Sequence, residues 1–452
     1  MVFLSIPHLL FSFADSVLLF VTYEGFAFIP RARENRILRG SEWMLGGFVC
    51  EYAHFLLLLE LQSVFWDFVL VGWASPFFYI ATGLSMLNIW FLGPLLSRII
   101  MATNDALPLV KEIVGDDRRV PRIPSNFELM WSHWLYDIVS LVFAGGGQNF
   151  YDIVYASPDE IRVTAGDRAW VQKRYSLDVY IPRGTKNISC ARNRREGYTN
   201  GRPVLIYVHG GAWLFGDKNF PTSTVVTNMV RSGWVVVNMN YRLSRGSSPA
   251  IFPDHIVDVK RAIRWVRFNI EKYGGDPRFI AISGGSAGGH LAALAAVTPN
   301  RVLFQPGFED VDTTLHACVP IYPSIDQTDE TKTASTPGYV EFWRKVVAGG
   351  RWSNDWLKEN ASPFAIVSGG PKDKPPAPML VIQGTWDTLV PVMSVRKFVD
   401  ACKRASIRCF YLELPGVHHG FDILRGPRAH LSSFMTEVFL NEEYRRWKGN
   451  TR

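Results

Sequence analysis

Ser286 stands in the run Gly284-Gly285-Ser286-Ala287-Gly288. The apolar stretch Ile280-Ala281-Ile282-Ser283 leads into it, and a Leu- and Ala-rich stretch follows. Gly-x-Ser-x-Gly between a strand and a helix is the pattern of a nucleophile elbow. The turn strains the backbone at the serine and leaves no room for neighbouring Cβ atoms, so glycines flank it. The serine Oγ is thereby presented at the top of a sheet. A serine hydroxyl is a weak nucleophile at neutral pH and needs a base held by an acid. The expected chain order is Ser, then Asp or Glu, then His.

Both partners are present downstream in that order. The apolar run Met379–Gln383 leads to Gly384-Thr385-Trp386-Asp387, which places Asp387 just past a strand end. The run Ile407–Leu412 leads to Pro415-Gly416-Val417-His418-His419-Gly420-Phe421. Adjacent side chains usually point apart, so one histidine serves, and His419, before Gly420-Phe421, is the expected base. Asp387 is the expected acid, with Asp422 and Asp254 as its rivals. Upstream, the buried run Val204–Val208 ends in His209-Gly210-Gly211-Ala212-Trp213. A loop in that place supplies backbone donors to a developing oxyanion. Gly210, Gly211 and Ala212 form the expected hole, with the N–H groups of Gly211, Ala212 and Ala287 as the donors.

These residues need a scaffold, and the pattern after Tyr151 provides one. Strands are expected at Ser176–Ile181, Val204–His209, Val235–Asn240, Phe279–Ser283, Ala317–Tyr322, Met379–Gln383 and Ile407–Leu412. Helices are expected between them, at His255–Lys272, Ala287–Val297 and Met393–Ala405. Alternation of this kind predicts an α/β sandwich with a mostly parallel sheet. The stretch 326–376, with Trp343, Trp352 and Trp356, is too long for a simple connection and is expected to be a lid or cap.

The chain from about Arg202 to Phe421 resembles the hormone-sensitive-lipase-like esterases of the α/β-hydrolase superfamily, a group that includes arylacetamide-deacetylase-like enzymes. The residues that carry the resemblance are His209-Gly210-Gly211-x-Trp213, Tyr241-Arg242-Leu243, Phe252-Pro253-Asp254, Gly275-Asp276-Pro277, the elbow and Gly384-x-x-Asp387. It looks most like a membrane-anchored branch and is also similar to isoprenylcysteine methylesterases. The resemblance implies an α/β-hydrolase fold and a cofactor-free, metal-free serine mechanism. Two positions depart from the family pattern. Ala212 replaces the third glycine of His-Gly-Gly-Gly, and Gly285 replaces the acid of Gly-Asp-Ser-Ala-Gly.

The N-terminal hundred residues differ in kind. Residues 68–97 carry no charged side chain, between Asp67 and Arg98. A membrane span needs about 20 apolar residues. Pro76 and Pro94 are expected to mark the ends of its straight part. Val2–Ile29, with Asp15 and Glu24, and Trp43–Trp66, with Glu51, His54 and Glu60, are weaker candidates. Glu51 and Glu60 fall on opposite helical faces, so the latter is not a clean amphipathic helix. Two or three spans are expected over 1–100, a linker with packing helices over 101–150, and the catalytic domain over 151–452. Arg31, Arg33, Arg36 and Arg39 predict a cytoplasmic side for the first loop; with three spans the catalytic domain lies on that side too, and with two it lies opposite. The sequons at Asn187 and Asn360 matter only if that domain is lumenal.

Composition narrows the remainder. The chain has 452 residues, 48% hydrophobic and 20% charged, with a net charge of +7. This excludes a disordered chain. Five cysteines, none in a Cys-x-x-Cys pair, exclude a disulfide scaffold. The basic excess lies in short clusters such as Arg192, Arg194 and Arg195, which is no nucleic-acid signature. The expected activity is therefore hydrolysis of a small-molecule or lipid carboxylic ester at a membrane. The alternatives are an amidase or formamidase, a prenylcysteine methylesterase, and a catalytically inactive binding protein on the same scaffold.

Overall fold

The computed structural model describes residues 10, 12–14, 16–17, 36–70, 76–115, 120–132, 149–162, 172–182, 201–219, 223–246, 249–333, 338–370 and 374–450. Asn187, Arg192, Arg194, Arg195, Arg31 and Arg33 lie outside the described residues, as does most of the Val2–Ile29 candidate.

Among the described residues, eight strands form one sheet. They are β1 (Asn149–Val154), β2 (Ser176–Tyr180), β3 (Arg202–Val208), β4 (Val235–Met239), β5 (Gly275–Gly285), β6 (Ala317–Ile321), β7 (Met379–Gly384) and β8 (Cys409–Leu414). Their spatial order is β1-β2-β4-β3-β5-β6-β7-β8. The pairs β1–β2 and β2–β4 are antiparallel, and every other pair is parallel. The central strands are buried along both faces, which is why they read as continuous Val/Ile/Leu runs without alternation. β1 was not expected, since Asn149-Phe150-Tyr151-Asp152 mixes polar and aromatic residues on an edge strand.

Among the described residues, seven longer helices accompany the sheet. They are α1 (Arg36–Leu70), α2 (Pro76–Val114), α3 (Thr224–Arg231), α4 (Asp254–Asn269), α5 (Ala287–Val297), α6 (Val392–Arg404) and α7 (Pro427–Asn450). One face of the sheet packs on α4, α5 and α6 through residues such as Ile256, Leu291 and Phe398. The opposite face packs on α3, α7 and the C-terminal half of α2 through Met229, Phe439, Ala106, Val110 and Ile113. α7 was not expected. Its buried face mixes Ser432, Ser433 and Thr436 with Leu431, Met435 and Phe439, which dilutes the apolar period.

The N-terminal reading needs correction. Pro94 does not end the helix: α2 runs through Pro94 and Pro108 to Val114. The expected boundary between residues 100 and 101 therefore falls inside one helix. Its last turns are held by burial of Ala102, Ala106, Val110 and Ile113 against the sheet. α1 and α2 each contain a stretch long and apolar enough to cross a membrane, Phe48–Phe65 and Tyr79–Val114. Glu51 and Glu60 of α1 are both partnered, which explains why the helix is not cleanly amphipathic. Glu60 accepts from Asn88 Nδ2 of α2 at 2.7 Å and from Ser12 Oγ at 3.3 Å. Glu51 pairs with Arg428 of α7, Oε1 to Nε 2.8 Å, both side chains buried.

The segment between β6 and β7 carries short helices at Asn354–Asn360 and Pro363–Ser368. Trp352 and Trp356 stack with centroids 3.9 Å apart, and Trp343 is fully buried. Asn360 donates its Nδ2 to Trp356 O at 2.9 Å. Cys50, Cys318, Cys402 and Cys409 are buried free thiols.

Candidate active site

The site lies where the parallel strands end. β5 delivers Ser286 at the start of α5, with φ 57° and ψ −119°. That strained backbone is tolerated because the surroundings over-determine it. Ser286 N–H donates to Ile321 O of β6, and His290 N–H donates to Ser286 O. The flanking glycines are required by close approach. A Cβ at Gly288 would lie 2.1 Å from Val208 O, and one at Gly284 2.5 Å from the same oxygen.

β7 and β8 deliver the other two side chains. His419 Nε2 lies 2.8 Å from Ser286 Oγ, and His419 Nδ1 lies 2.7 Å from Asp387 Oδ2. The other oxygen of Asp387 accepts from the N–H groups of Leu389, at 2.9 Å, and Val390, at 2.7 Å. Gln383 Nε2 donates to Oδ2 at 3.1 Å. The carboxylate is therefore aimed before the imidazole arrives. Ser286 itself is half-exposed, whereas His419 and Asp387 are buried. Serine, imidazole and carboxylate thus form one hydrogen-bonded line with its open end at the hydroxyl.

The remaining candidates sit elsewhere. His418 turns away, edge-on to Trp386 with centroids 5.8 Å apart, and burial pushes its imidazole down to about 4. Asp254 pairs with Arg242. Asp422 accepts from the Tyr322 hydroxyl on one oxygen and from the Tyr207 hydroxyl, at 3.4 Å, on the other.

The loop after β3 approaches Ser286 closely. A Cβ at Gly210 would stand 2.9 Å from Gly285 O and 3.3 Å from Ser286 Cβ. Gly211, Ala212 and Trp213 all adopt positive φ, at 122°, 51° and 60°. Gly211 O accepts from Leu214 and Phe215 N–H, so the loop closes on itself. His209 buttresses it from behind, stacked on Tyr241 at 4.5 Å, with Nδ1 2.7 Å from Gly210 O. Burial lowers the His209 pKa to about 4.

Sequence reasoning missed Tyr322. It follows β6, has φ 35°, and lies 4.6 Å ring to ring from His419. A Cβ at Gly285 would come within 2.5 Å of its hydroxyl oxygen. The tyrosine therefore occupies the space that the side chain usual at position 285 in the resembled family would take. The only signal in the sequence was a tyrosine at a strand end. No cluster of His, Cys, Asp and Glu able to hold a metal ion occurs among the described residues.

A doubly flanked, mostly parallel sheet with a serine elbow, an acid after β7 and a histidine after β8 is a specific combination of topology and position. The fold is similar to that of an esterase B from Lactobacillus rhamnosis, solved with a tributyrin phosphonate inhibitor, at TM-score 0.52 over 71% of this chain and 96% of that one. The chain has the α/β-hydrolase fold. The esterase B likeness, at 18% identity, concerns the fold alone.

Residues 193–401 of the chain match a family model described as BD-FAE, which takes in Ser286 and Asp387 and stops before His419. Two sequence relatives come from Mycobacterium tuberculosis. A probable carboxylic ester hydrolase, LipM, is 43% identical over 248 residues, 54% of this chain and 56% of the relative. An esterase, LipQ, is 39% identical over 274 residues, 60% of this chain and 62% of the relative. The chain spans about three fifths of the length of these relatives.

Proposed function

We propose that this protein is a membrane-anchored serine hydrolase of carboxylic esters. Ser286 Oγ attacks the acyl carbon while His419 Nε2 takes its proton. Asp387 holds the imidazole in the tautomer with Nδ1–H and stabilises the imidazolium. The N–H groups of Gly211, Ala212 and Ala287 receive the oxyanion. His419 then protonates the leaving alcohol, and water, deprotonated by the same imidazole, releases the acid. The observation that carries this reading is the continuous line Ser286–His419–Asp387, at 2.8 and 2.7 Å. The relatives named as ester hydrolases support the same reaction class.

Anchoring rests on α1 and α2, whose exposed side chains include Leu58, Leu59, Phe65, Tyr79, Met86 and Trp90. Glu60 is consistent with a span, because an intramembrane acid is tolerated when it faces another helix and is hydrogen-bonded there. Two antiparallel spans return the chain to the side on which α1 begins. Arg36 and Arg39 in its first turns support a cytoplasmic side for the hydrolase domain.

A fluorophosphonate probe applied to membrane fractions tests the catalytic reading. Wild type should label and turn over a carboxylic ester, and Ser286→Ala should do neither while remaining folded. Undiminished labelling of Ser286→Ala would sink the assignment.

A further inference from the structure

α2 lies alongside β8 and runs the opposite way. At one end, Arg408, just before β8, donates its guanidinium to Ile113 O at 3.3 Å. At the other, Arg98 lies over Trp386, which follows β7, 4.0 Å from the ring centroid. A Cβ on Gly416, just past β8, would meet Arg98 Cδ at 2.7 Å. A helix rises about 1.5 Å per residue and a strand about 3.3 Å. The stretch from Ile113 to Arg98 is thus consumed in passing the sheet from the start of β8 to its end. Residues 76–97, about 33 Å of helix, project beyond the strand ends. α1 reaches the same level from the other direction: Glu51 pairs with Arg428, and the Tyr52 hydroxyl donates to Leu424 O. The remainder of α1 rises beside α2, held by Glu60–Asn88.

The strand ends from which this apolar pair rises are the ones that carry Ser286, Asp387 and His419. The geometry points to an active site whose mouth faces the bilayer, so that the hydrolase takes an ester from the adjacent leaflet, its carbonyl at Ser286 and its hydrocarbon chain still in lipid. This rests on the anchored-esterase reading above and adds to it the direction of the site and the substrate class.

A second observation supports the same direction independently of the helices. The loop of the expected oxyanion hole exposes Phe215, 54% accessible, with the guanidinium of Arg245 4.9 Å from its ring centroid. Beyond His419, Ile423 is exposed as well. An exposed aromatic paired with a cation, and an exposed aliphatic side chain on a second loop, suit the headgroup layer, where amphipathic rings and arginines partition. Both residues stand on loops that follow the ends of parallel strands, as the catalytic side chains do.

The test places a fluorophore on each edge of the sheet. Full-length protein with Cys190→Ser and one added cysteine is labelled with an environment-sensitive dye. The other four cysteines are buried. It is reconstituted into phosphatidylcholine vesicles carrying a spin-labelled lipid quencher. Phe215→Cys should be quenched several-fold more than Glu271→Cys, which is exposed just before β5 at the opposite edge. Ile423→Cys repeats the reading from the His419 loop if the first variant misfolds. In the same vesicles, turnover of a long-chain ester should follow its mole fraction in the bilayer and stay constant on bulk dilution. Stronger quenching at Glu271 than at Phe215 and Ile423, or a rate that falls with bulk dilution, overturns the inference. Failure of the protein to float with vesicles overturns the anchoring and this inference together. The expected quenching without turnover of any ester sinks the catalytic reading and leaves the orientation standing.

Discussion

Arg98, the first charged residue after the apolar run, lies over the indole of Trp386, 4.0 Å from its centroid. Trp386 immediately precedes Asp387. The apolar helix α2 therefore bears directly on the loop that holds Asp387. A desolvated cation–π contact is worth about 2 kcal/mol. Arg98→Ala should lower kcat several-fold and leave KM for a small soluble ester almost unchanged. Steady-state kinetics in detergent check this, and an unchanged kcat would show that the contact does not position the loop.

The two neighbouring histidines should separate cleanly. His419→Ala removes the side chain that touches Ser286 and should cost about 10⁴-fold or more in kcat. His418→Phe keeps the packing against Trp386 and should keep most of the activity. Asp387→Asn keeps the shape of the acid but favours the wrong tautomer, and a loss of about 10⁴-fold is expected. Rates for the three purified variants, with folding checked by circular dichroism, decide the matter.

Gly285 and Tyr322 should behave as a pair. Gly285→Ala pushes a methyl group against the Tyr322 hydroxyl and should destabilise by about 1–3 kcal/mol. Tyr322→Phe removes that oxygen, so the double variant should lose less than the sum of the two single changes. A double-mutant cycle by thermal unfolding reads the coupling directly.

Arg428 ties α7 to α1 through Glu51. Arg428→Leu strands a buried acid and should cost about 3–5 kcal/mol. Replacing both partners with leucine should cost distinctly less, because no unpaired charge is then left behind. Unfolding midpoints in detergent distinguish the two variants.

Acid should unfold this protein before the carboxylates titrate. Burial lowers His209, His290 and His418 to about 4 and His255 to about 3. An unfolded histidine titrates near 6.5. Between about 6.5 and 4 the unfolded chain binds protons that the folded one refuses, so stability falls as pH falls through that window. Unfolding midpoints should drop steeply from pH 7 to pH 5, and His209→Gln should flatten the slope. A midpoint independent of pH over that range would contradict the prediction.

The sequence alone determined what is local. Elbow, loop after β3 and most of the parallel strands were legible because each is written in a few contiguous residues. Glycine spacing reports backbone crowding at Ser286, and unbroken apolar runs report strands buried on both faces. The order Ser286, Asp387, His419 pointed to these side chains before their distances were known. Tertiary structure decided the relations between residues far apart in the chain. Tyr322 beside Gly285, Arg98 on Trp386 and Glu51 on Arg428 leave no periodic trace, since a polar or charged side chain is satisfied by whichever partner the fold brings to it. The same holds for the length of α2: Pro94 and a change in polarity read as a boundary, yet burial of Ala106, Val110 and Ile113 against the sheet carries the helix past it.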